Sequence, residues 1–496
     1  MLSNQKLTFE QLKAHLWSAA DILRGSIDAN EFRQPIMTLL FLKRLNDQFE
    51  EEAERVEKKT GNKKIAWEDK DEHVFFIPKT ARWDVISSKT ENLGEVIDKV
   101  CEIIERENPK LEGVLTNTIY NDKKKFPDDK LLDLVVHFNK YRLRNSDLER
   151  EDVFGQAYEY LLEQFADSAG KKAGEFFTPR EVVRLLVQIV EPDKKMKICD
   201  PTCGSGGMLI ESIAYLKRKK IDSLNVSLYG QESNYGNFGM CKMNMILHGV
   251  LDFQIEYGDT LKNPMLVEDG KLIKFDRIIA NFPFSMIWKS TNASEDPYGR
   301  FNLGIPPKSY ADFAFIQHMY STLDKKGKAA IISSQGVLFR GGQEEQIRKK
   351  MVEADVIDAV IALPANLFYG TGIPACIFLI NKNKSIERKK KILFIYAAKD
   401  FLDAGKRDLL RPQDIEKIIS TFKNYKDIDK YCHIANIGEI EENEYNLNVP
   451  RYIDISEEEE KIDIVTTVNS LKKLKLERES IEKQVKSNLA ELGFGV

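Results

Sequence analysis

The sequence predicts an α/β fold. A mostly parallel sheet with helices on both faces follows an α-helical N-terminal domain and precedes a helical C-terminal tail. Three patterns predict this. Over residues 1–172 apolar side chains recur at helical spacing and strand signals are few. Over 173–452 short β-rich apolar runs alternate with helical patterns, as parallel strands joined by crossover helices do. Over 453–496 the chain is charged, with one narrow apolar stripe at three- and four-residue steps.

In the first segment Leu12, Leu16, Ala19 and Leu23 share a helix face. Ile36–Leu45 is rich enough in apolar residues to lie inside a bundle, and Glu50–Lys64 reads as a charged helix end and turn. Asp152–Ala166 is amphipathic, with Val153, Ala157, Tyr160, Leu161 and Phe165 inward. In the second segment strands are expected at Lys197–Cys199, Val226–Tyr229, Phe253–Tyr257, Arg277–Ala280, Ala329–Ser333, Val356–Leu363, Cys376–Ile380 and Leu393–Tyr396. Helices are expected at Met208–Lys219 and Tyr235–His248. Ligands of such sheets bind beyond the carboxyl ends of the strands. The tail stripe is Val468, Leu471, Leu474, Ile481, Val485, Leu489 and Leu492, which needs another helix to cover it, in this chain or in a partner.

Hydrophobic residues make up 42% and charged residues 31% of the 496, the balance of a globular chain. No apolar run is long enough to span a membrane and Met1–Glu10 carries no leader-like stretch, so a cytoplasmic protein with no membrane partner is expected. The six cysteines form no Cys-x-x-Cys pair, so buried free thiols are expected and no metal site. The net charge of −4 is unusual for a chain that grips DNA alone, and the basic clusters at Lys123–Lys125, Lys217–Lys220 and Arg388–Lys391 read first as solvated helix ends. The absence of a Walker A string and of a Pro-Cys dipeptide argues against ATP hydrolysis and against covalent attack on a pyrimidine ring.

The first expected strand runs into Asp200-Pro201-Thr202-Cys203-Gly204-Ser205-Gly206-Gly207 and then a helix. Glycines allow a tight turn and close approach to a ligand. Leu209 stands where a dinucleotide fingerprint has its third glycine, and Asp200 could hold the ammonium of an amino-acid moiety. A plain strand–helix turn is the alternative. Glu232, after the second strand, could accept from ribose hydroxyls or merely neighbour a helix cap. Asp259, after the third, could accept from an adenine amino group of a cofactor or merely form a turn.

The fourth strand ends in Asn281-Phe282-Pro283-Phe284. An amine that attacks a methyl sulfonium must lift its lone pair out of conjugation with its ring. Acceptors aimed at its two hydrogens favour that change. The Asn281 side-chain oxygen and the Phe282 carbonyl could be those acceptors. Pro283 holds the residue before it extended. Phe284 offers a flat face to a flipped base. In Gly174-Glu175-Phe176-Phe177-Thr178-Pro179-Arg180, Thr178 reads as a helix N-cap and Pro179 as the first helical residue, with a lid over the cofactor as the functional reading.

Taken in order, GEFFTPR, DPTCGSGGML, GQE, GDTL and NFPF resemble the motifs of the methyltransferase (modification) subunit of type I restriction–modification systems, an adenine-specific DNA methyltransferase family. The resemblance continues through Gly304–Lys308, Ala311–Phe315, Gly336–Gly342, Leu363–Phe368, Gly370–Ala375 and Tyr445–Asn448, covering Asp152–Tyr452 and, more loosely, the N-terminal domain. It implies a Rossmann-like domain dependent on S-adenosylmethionine, adenine in double-stranded DNA as acceptor, a DNA-reading specificity subunit serving two modification subunits, and an optional restriction subunit. It implies cofactor contacts from Glu175, Phe176, Phe177, Thr178, Pro179 and Arg180, from Gly204, Ser205, Gly206 and Gly207, and from Glu232, with Asp200 and Asp259 added. Asn281, Phe282, Pro283 and Phe284 match its catalytic motif, except that Phe282 stands where proline is usual. The group needed there is a carbonyl, which phenylalanine also supplies, so activity is expected to be retained. The alternatives are a methyltransferase for another planar amide or amine, such as protein glutamine or RNA adenine, and a non-catalytic assembly subunit.

Overall fold

The computed structural model describes residues 6–23, 29–150, 152–169, 177–284, 286–288, 293–456 and 464–492. The chain forms two compact units, Met1–Ile453 and Asp454–Val496.

The first unit opens with helices α1 (Phe9–Leu23), α2 (Ala29–Thr60), α3 (Lys63–Glu68), α4 (Trp83–Ser87), α5 (Leu93–Glu107), α6 (Asp128–Phe138) and α7 (Val153–Ala169). Leu12, Leu16, Ala19 and Leu23 are all fully buried on one face of α1, which lies against α6 and α7. The charged run after residue 50 ends α2, and Gly61 at φ +68° reverses the chain into α3, where Asn62 caps the first turn. One expected inward residue is corrected. Tyr160 is only half-buried beneath the Lys13 ammonium, and Tyr158 takes the interior place. The physical reason is the 3.6-residue period, which turns position 160 toward the edge of the buried stripe.

The sheet-bearing part contains α8 (Arg180–Val190), β1 (Lys197–Asp200), α9 (Gly207–Arg218), β2 (Ser227–Glu232), α10 (Tyr235–Leu247) and β3 (Phe253–Tyr257). A small hairpin of β4 (Val267–Glu268) and β5 (Lys271–Leu272) leads to β6 (Phe275–Asn281). Next come α11 (Asp312–Thr322), β7 (Leu323–Ser334), α12 (Gln343–Glu353), β8 (Ile357–Ala362), β9 (Ala375–Asn381) and β10 (Lys391–Tyr396). A short pair β11 (Leu402–Asp403) and β12 (Asp408–Leu409), then α13 (Pro412–Asn424), β13 (Cys432–Asn436) and α14 (Ile437–Glu442), complete it.

Nine strands form one sheet in the order β13-β10-β8-β9-β7-β6-β1-β2-β3. The run from β7 to β3 is parallel, β9 is antiparallel to both its neighbours, and β13 is an antiparallel edge. All residues of β8 and β9 are buried, as strands covered on both faces should be. All eight expected strands are present. The sheet adds β13, and β7 begins six residues before its expected start, at Leu323 rather than Ala329.

The order fixes where a ligand belongs. From β1 the chain moves outward through β2 to β3, then returns to place β6 on the other side of β1. The reversal opens a crevice at the carboxyl ends of β1 and β6. Asp200 ends β1 and Asn281 ends β6, so these two residues flank the crevice.

Among the described residues, the second unit contains the helix α15 (Ile464–Glu491). Its stripe residues Val468, Leu471, Leu474, Ile481 and Val485 are exposed. All six cysteines are buried and unpaired. Among the described residues no helix is long and apolar enough to cross a membrane.

Candidate active site

The turn after β1 is held by backbone bonds, one to β2 and one within itself. The Cys203 N–H donates to the Gln231 carbonyl at 3.1 Å, and the Gly206 N–H to the Cys203 carbonyl at 2.7 Å. Gly204 and Gly206 lie at φ +51° and +80°, which favour glycine. A Cβ on Gly206 would come within 2.9 Å of Cys241 Sγ. At Gly207 a Cβ would meet nothing within 4 Å, so the turn faces open space.

That space is a cavity of about 470 Å³, within the size range of small-molecule sites. Phe177, Thr178, Arg180, Asp200, Gly204, Ser205, Gly207 and Asn281 line it. Gly206, Pro179, Glu232, Asp259, Phe282, Pro283 and Phe284 stand outside its lining. Glu175 and Phe176 lie outside the described residues.

Asp200 is 2% exposed, and its carboxylate accepts the Thr202 N–H at 3.0 Å. Burial, joined by the nearby charge of Glu232, pushes its pKa up to about 7, against the Thr202 bond. A buried carboxyl held this way favours a cation beside it. Glu232 stitches the turn to β2. It accepts the Gly204 N–H at 2.9 Å and the Asn234 N–H at 2.7 Å, and burial raises its pKa. Asp259 accepts the Leu261 and Lys262 N–H groups, the turn-forming role open to it from sequence.

Asn281 donates its amide to Thr178 Oγ1 at 3.0 Å. The expected cap at Thr178 is thereby corrected. Helix α8 starts at Arg180, Pro179 is its cap residue, and no side chain caps it. Pro179 is extended at φ −54°, ψ 136°, which carries Thr178 away from the helix and toward β6. Arg180 reaches back to Glu159 of α7 at 3.0 Å, and His248 lies 3.6 Å from the same carboxylate. Burial, with Arg180 and Lys217 nearby, lowers the His248 pKa to about 4, so this ring is neutral at pH 7.

The tetrad is an aromatic cluster. Phe282 is 1% exposed and stacks on Phe315, while Phe284 meets Phe282 and Phe368 edge-on. Pro283 is exposed and Phe284 half-buried.

Sequence reasoning missed Asn244. It is 1% exposed, lines the cavity, and donates to the Ser205 carbonyl at 2.8 Å. Its Oδ1 is buried with no partner among the described residues. The available signal was one amide inside the apolar run Met243–Ile246. Glu159 and His248 left no such signal, because only the packing of α7 against α10 and the reach of Arg180 to Glu159 bring them to the cavity.

Residues 149–461 match the N-6 DNA methylase family, and residues 12–138 match the HsdM N-terminal domain. The MjaVIII type I restriction enzyme methylase subunit of Methanocaldococcus jannaschii is 32% identical over 95% of this chain and 82% of its own length. The MpnII type I restriction enzyme methylase subunit of Mycoplasma pneumoniae is 30% identical over 96% of this chain and 95% of its own. The crystal structure of a type I restriction–modification methyltransferase subunit from Streptococcus thermophilus superposes with a TM-score of 0.79 at 31% identity, covering 90% of this chain and 100% of that one. The chain belongs to the N-6 DNA methylase family, within the group that holds the type I restriction enzyme methylase subunits.

Proposed function

We propose that this chain is the modification subunit of a type I complex, transferring a methyl group from S-adenosylmethionine to the 6-amino group of adenine in double-stranded DNA. The observation that carries the residue-level reading is the meeting of Asp200, the glycine turn and Asn281 around one cavity at the β1/β6 crevice. The donor set fits this cofactor. Asp200 supplies a buried anion for its cationic groups, Arg180, which it must share with Glu159, a cation for its carboxylate, and Asn244 Oδ1 a buried acceptor still unmatched.

Bound there, the cofactor supplies a methyl group on a positively charged sulfur. Asn281 Oδ1 accepts one hydrogen of the target amine, since the amide nitrogen is committed to Thr178. The Phe282 carbonyl, which no described backbone N–H occupies, accepts the other. Together they localise the nitrogen lone pair toward the methyl group. Phe284 presents a half-buried ring for stacking the extruded base. Glu232 and Asp259 reach ribose and adenine only by exchanging their present backbone bonds.

Target choice falls to a specificity subunit shared by two copies of this chain, with a restriction subunit as an optional third component. The formal charge of −4 and the bare stripe of α15 support dependence on a partner. We divide the chain functionally at residues 172 and 452 into a helical domain, a catalytic domain and a partner-binding tail. The test is to sequence DNA for methylated adenine in cells expressing the chain with its specificity subunit, beside Asn281→Ala. Methyl-adenine at one defined motif, absent in the control, is expected. Unmodified adenine with both proteins folded and complexed overturns the reading.

A further inference from the structure

We infer that Phe315 is a positioning residue for methyl transfer, whose ring pins Phe282 and so does the work that a proline would do covalently at that position. The inference rests on the methyltransferase reading above.

A carbonyl that must accept one amine hydrogen has to be aimed before the amine arrives. Proline at position 282 would fix φ there through its own ring. Phenylalanine leaves φ free, and Pro283 restricts residue 282 only to the extended region. The remaining freedom would let the carbonyl swing. The structure removes it by side-chain packing. The rings of Phe282 and Phe315 lie 5.0 Å apart between centroids at an interplanar angle of 15°. Phe282 is 1% and Phe315 5% exposed, so solvent does not compete for the faces.

Phe315 is itself held. It lies in the first turn of α11. The Ala311 N–H just before that helix donates to the Met286 carbonyl at 2.8 Å, tying the helix start to the chain beyond the tetrad. Asp312, fully buried, pairs with Arg340, which also pairs with Glu344 at 2.5 Å, and Ser334 Oγ donates to Asp312 at 3.4 Å. The face offered to Phe282 is therefore anchored to the end of β7 and the start of α12. Phe284 closes the cluster edge-on, 6.2 Å from Phe282 and 6.1 Å from Phe368.

The test is a double-mutant cycle in the chain co-purified with its specificity subunit, with tritiated methyl transfer to unmodified genomic DNA as the readout. Phe315→Leu keeps most of the apolar volume and removes the flat face. It is expected to lower kcat about tenfold, equal to about 1.4 kcal/mol of barrier, while the dissociation constant for S-adenosylmethionine and the melting temperature stay near wild type. Adding Phe315→Leu to Phe282→Pro is expected to cost less than about twofold relative to Phe282→Pro alone, because proline makes the pin redundant. An equal loss in both backgrounds, or no loss in the wild-type background, overturns the inference. So does an inactive Phe282→Pro, since the ring would then do something that proline's constraint cannot. A wild-type complex that binds the cofactor but labels no adenine defeats the functional reading instead.

Discussion

Asn281 and Thr178, 103 residues apart in the chain, are joined by an amide-to-hydroxyl hydrogen bond of 3.0 Å. With the amide nitrogen engaged there, Oδ1 is left for the substrate amine of the proposed reaction. Thr178→Val keeps the shape and removes the acceptor. The expected result is a fall in kcat of roughly tenfold or more, as a small misplacement of a reacting group can cost about 100-fold. Thr178→Ser should retain most activity, and steady-state kinetics at saturating cofactor would separate the two.

Asp200, as the proposed cofactor anchor, is expected to make cofactor affinity depend on pH. Its pKa is raised to about 7 by burial and by the charge of Glu232. A cationic ligand binds the ionised form, so below pH 7 binding must release a proton. Affinity for S-adenosylmethionine should therefore weaken as pH falls below 7, by up to about tenfold per unit. Titration calorimetry in buffers of different ionisation enthalpy would register proton release at pH 6 and almost none at pH 8. In Asp200→Asn this dependence should vanish along with much of the affinity.

The same carboxyl acts on stability with the opposite sign to a salt-bridged one. Because its folded pKa lies above the unfolded value of about 3.9, the folded state keeps a proton that the unfolded state has lost. Between those two values its contribution becomes less favourable as pH rises. Asp200→Asn should thus melt higher than wild type at pH 7 without ligand, which differential scanning fluorimetry reads directly. A lower melting temperature would refute this account of Asp200.

Arg300 ties the segment around Asp296 to the segment after Asp259. Its guanidinium pairs with Asp296 at 2.7 Å and donates to the Thr260 and Leu261 carbonyls at 2.9 and 2.8 Å. Both side chains of the pair are at most 5% exposed. Arg300→Met strands a buried carboxylate, and a loss of about 3–5 kcal/mol in denaturant unfolding is expected.

Gly206→Ala forces a Cβ to within 2.9 Å of Cys241 Sγ at φ +80°. The left-handed conformation alone costs roughly 1–2 kcal/mol. Reduced cofactor affinity is expected together with lower stability, measured by calorimetry and thermal melting.

The turn after β1 and the strands around it were readable because their determinants are local. Asp200 and the glycines act within a few residues of one another, and the strands are dense apolar runs between turn signals. β13 escaped notice because His433 and Ile434 are only half-buried on an edge, giving no dense run. The early start of β7 escaped because Asp324–Gly327 carries turn residues that fall in a register shift, between the pairs Leu323–Phe275 and Lys328–Arg277. Thr178 was misplaced as a cap because capping depends on neighbours in sequence, whereas its hydroxyl is claimed by a residue on another strand.

By itself the sequence determined the class of fold, the order of motifs at strand ends and the chemistry each could bring, since these follow from backbone preferences and side-chain groups over short stretches. Only the tertiary structure decided which groups meet. The return of β6 beside β1 brings Asn281 to Asp200, α8 brings Thr178 to Asn281, α10 brings Asn244 to the glycine turn, and α11 brings Phe315 to Phe282. Those meetings depend on burial and packing between segments far apart in the chain, where no local preference reaches.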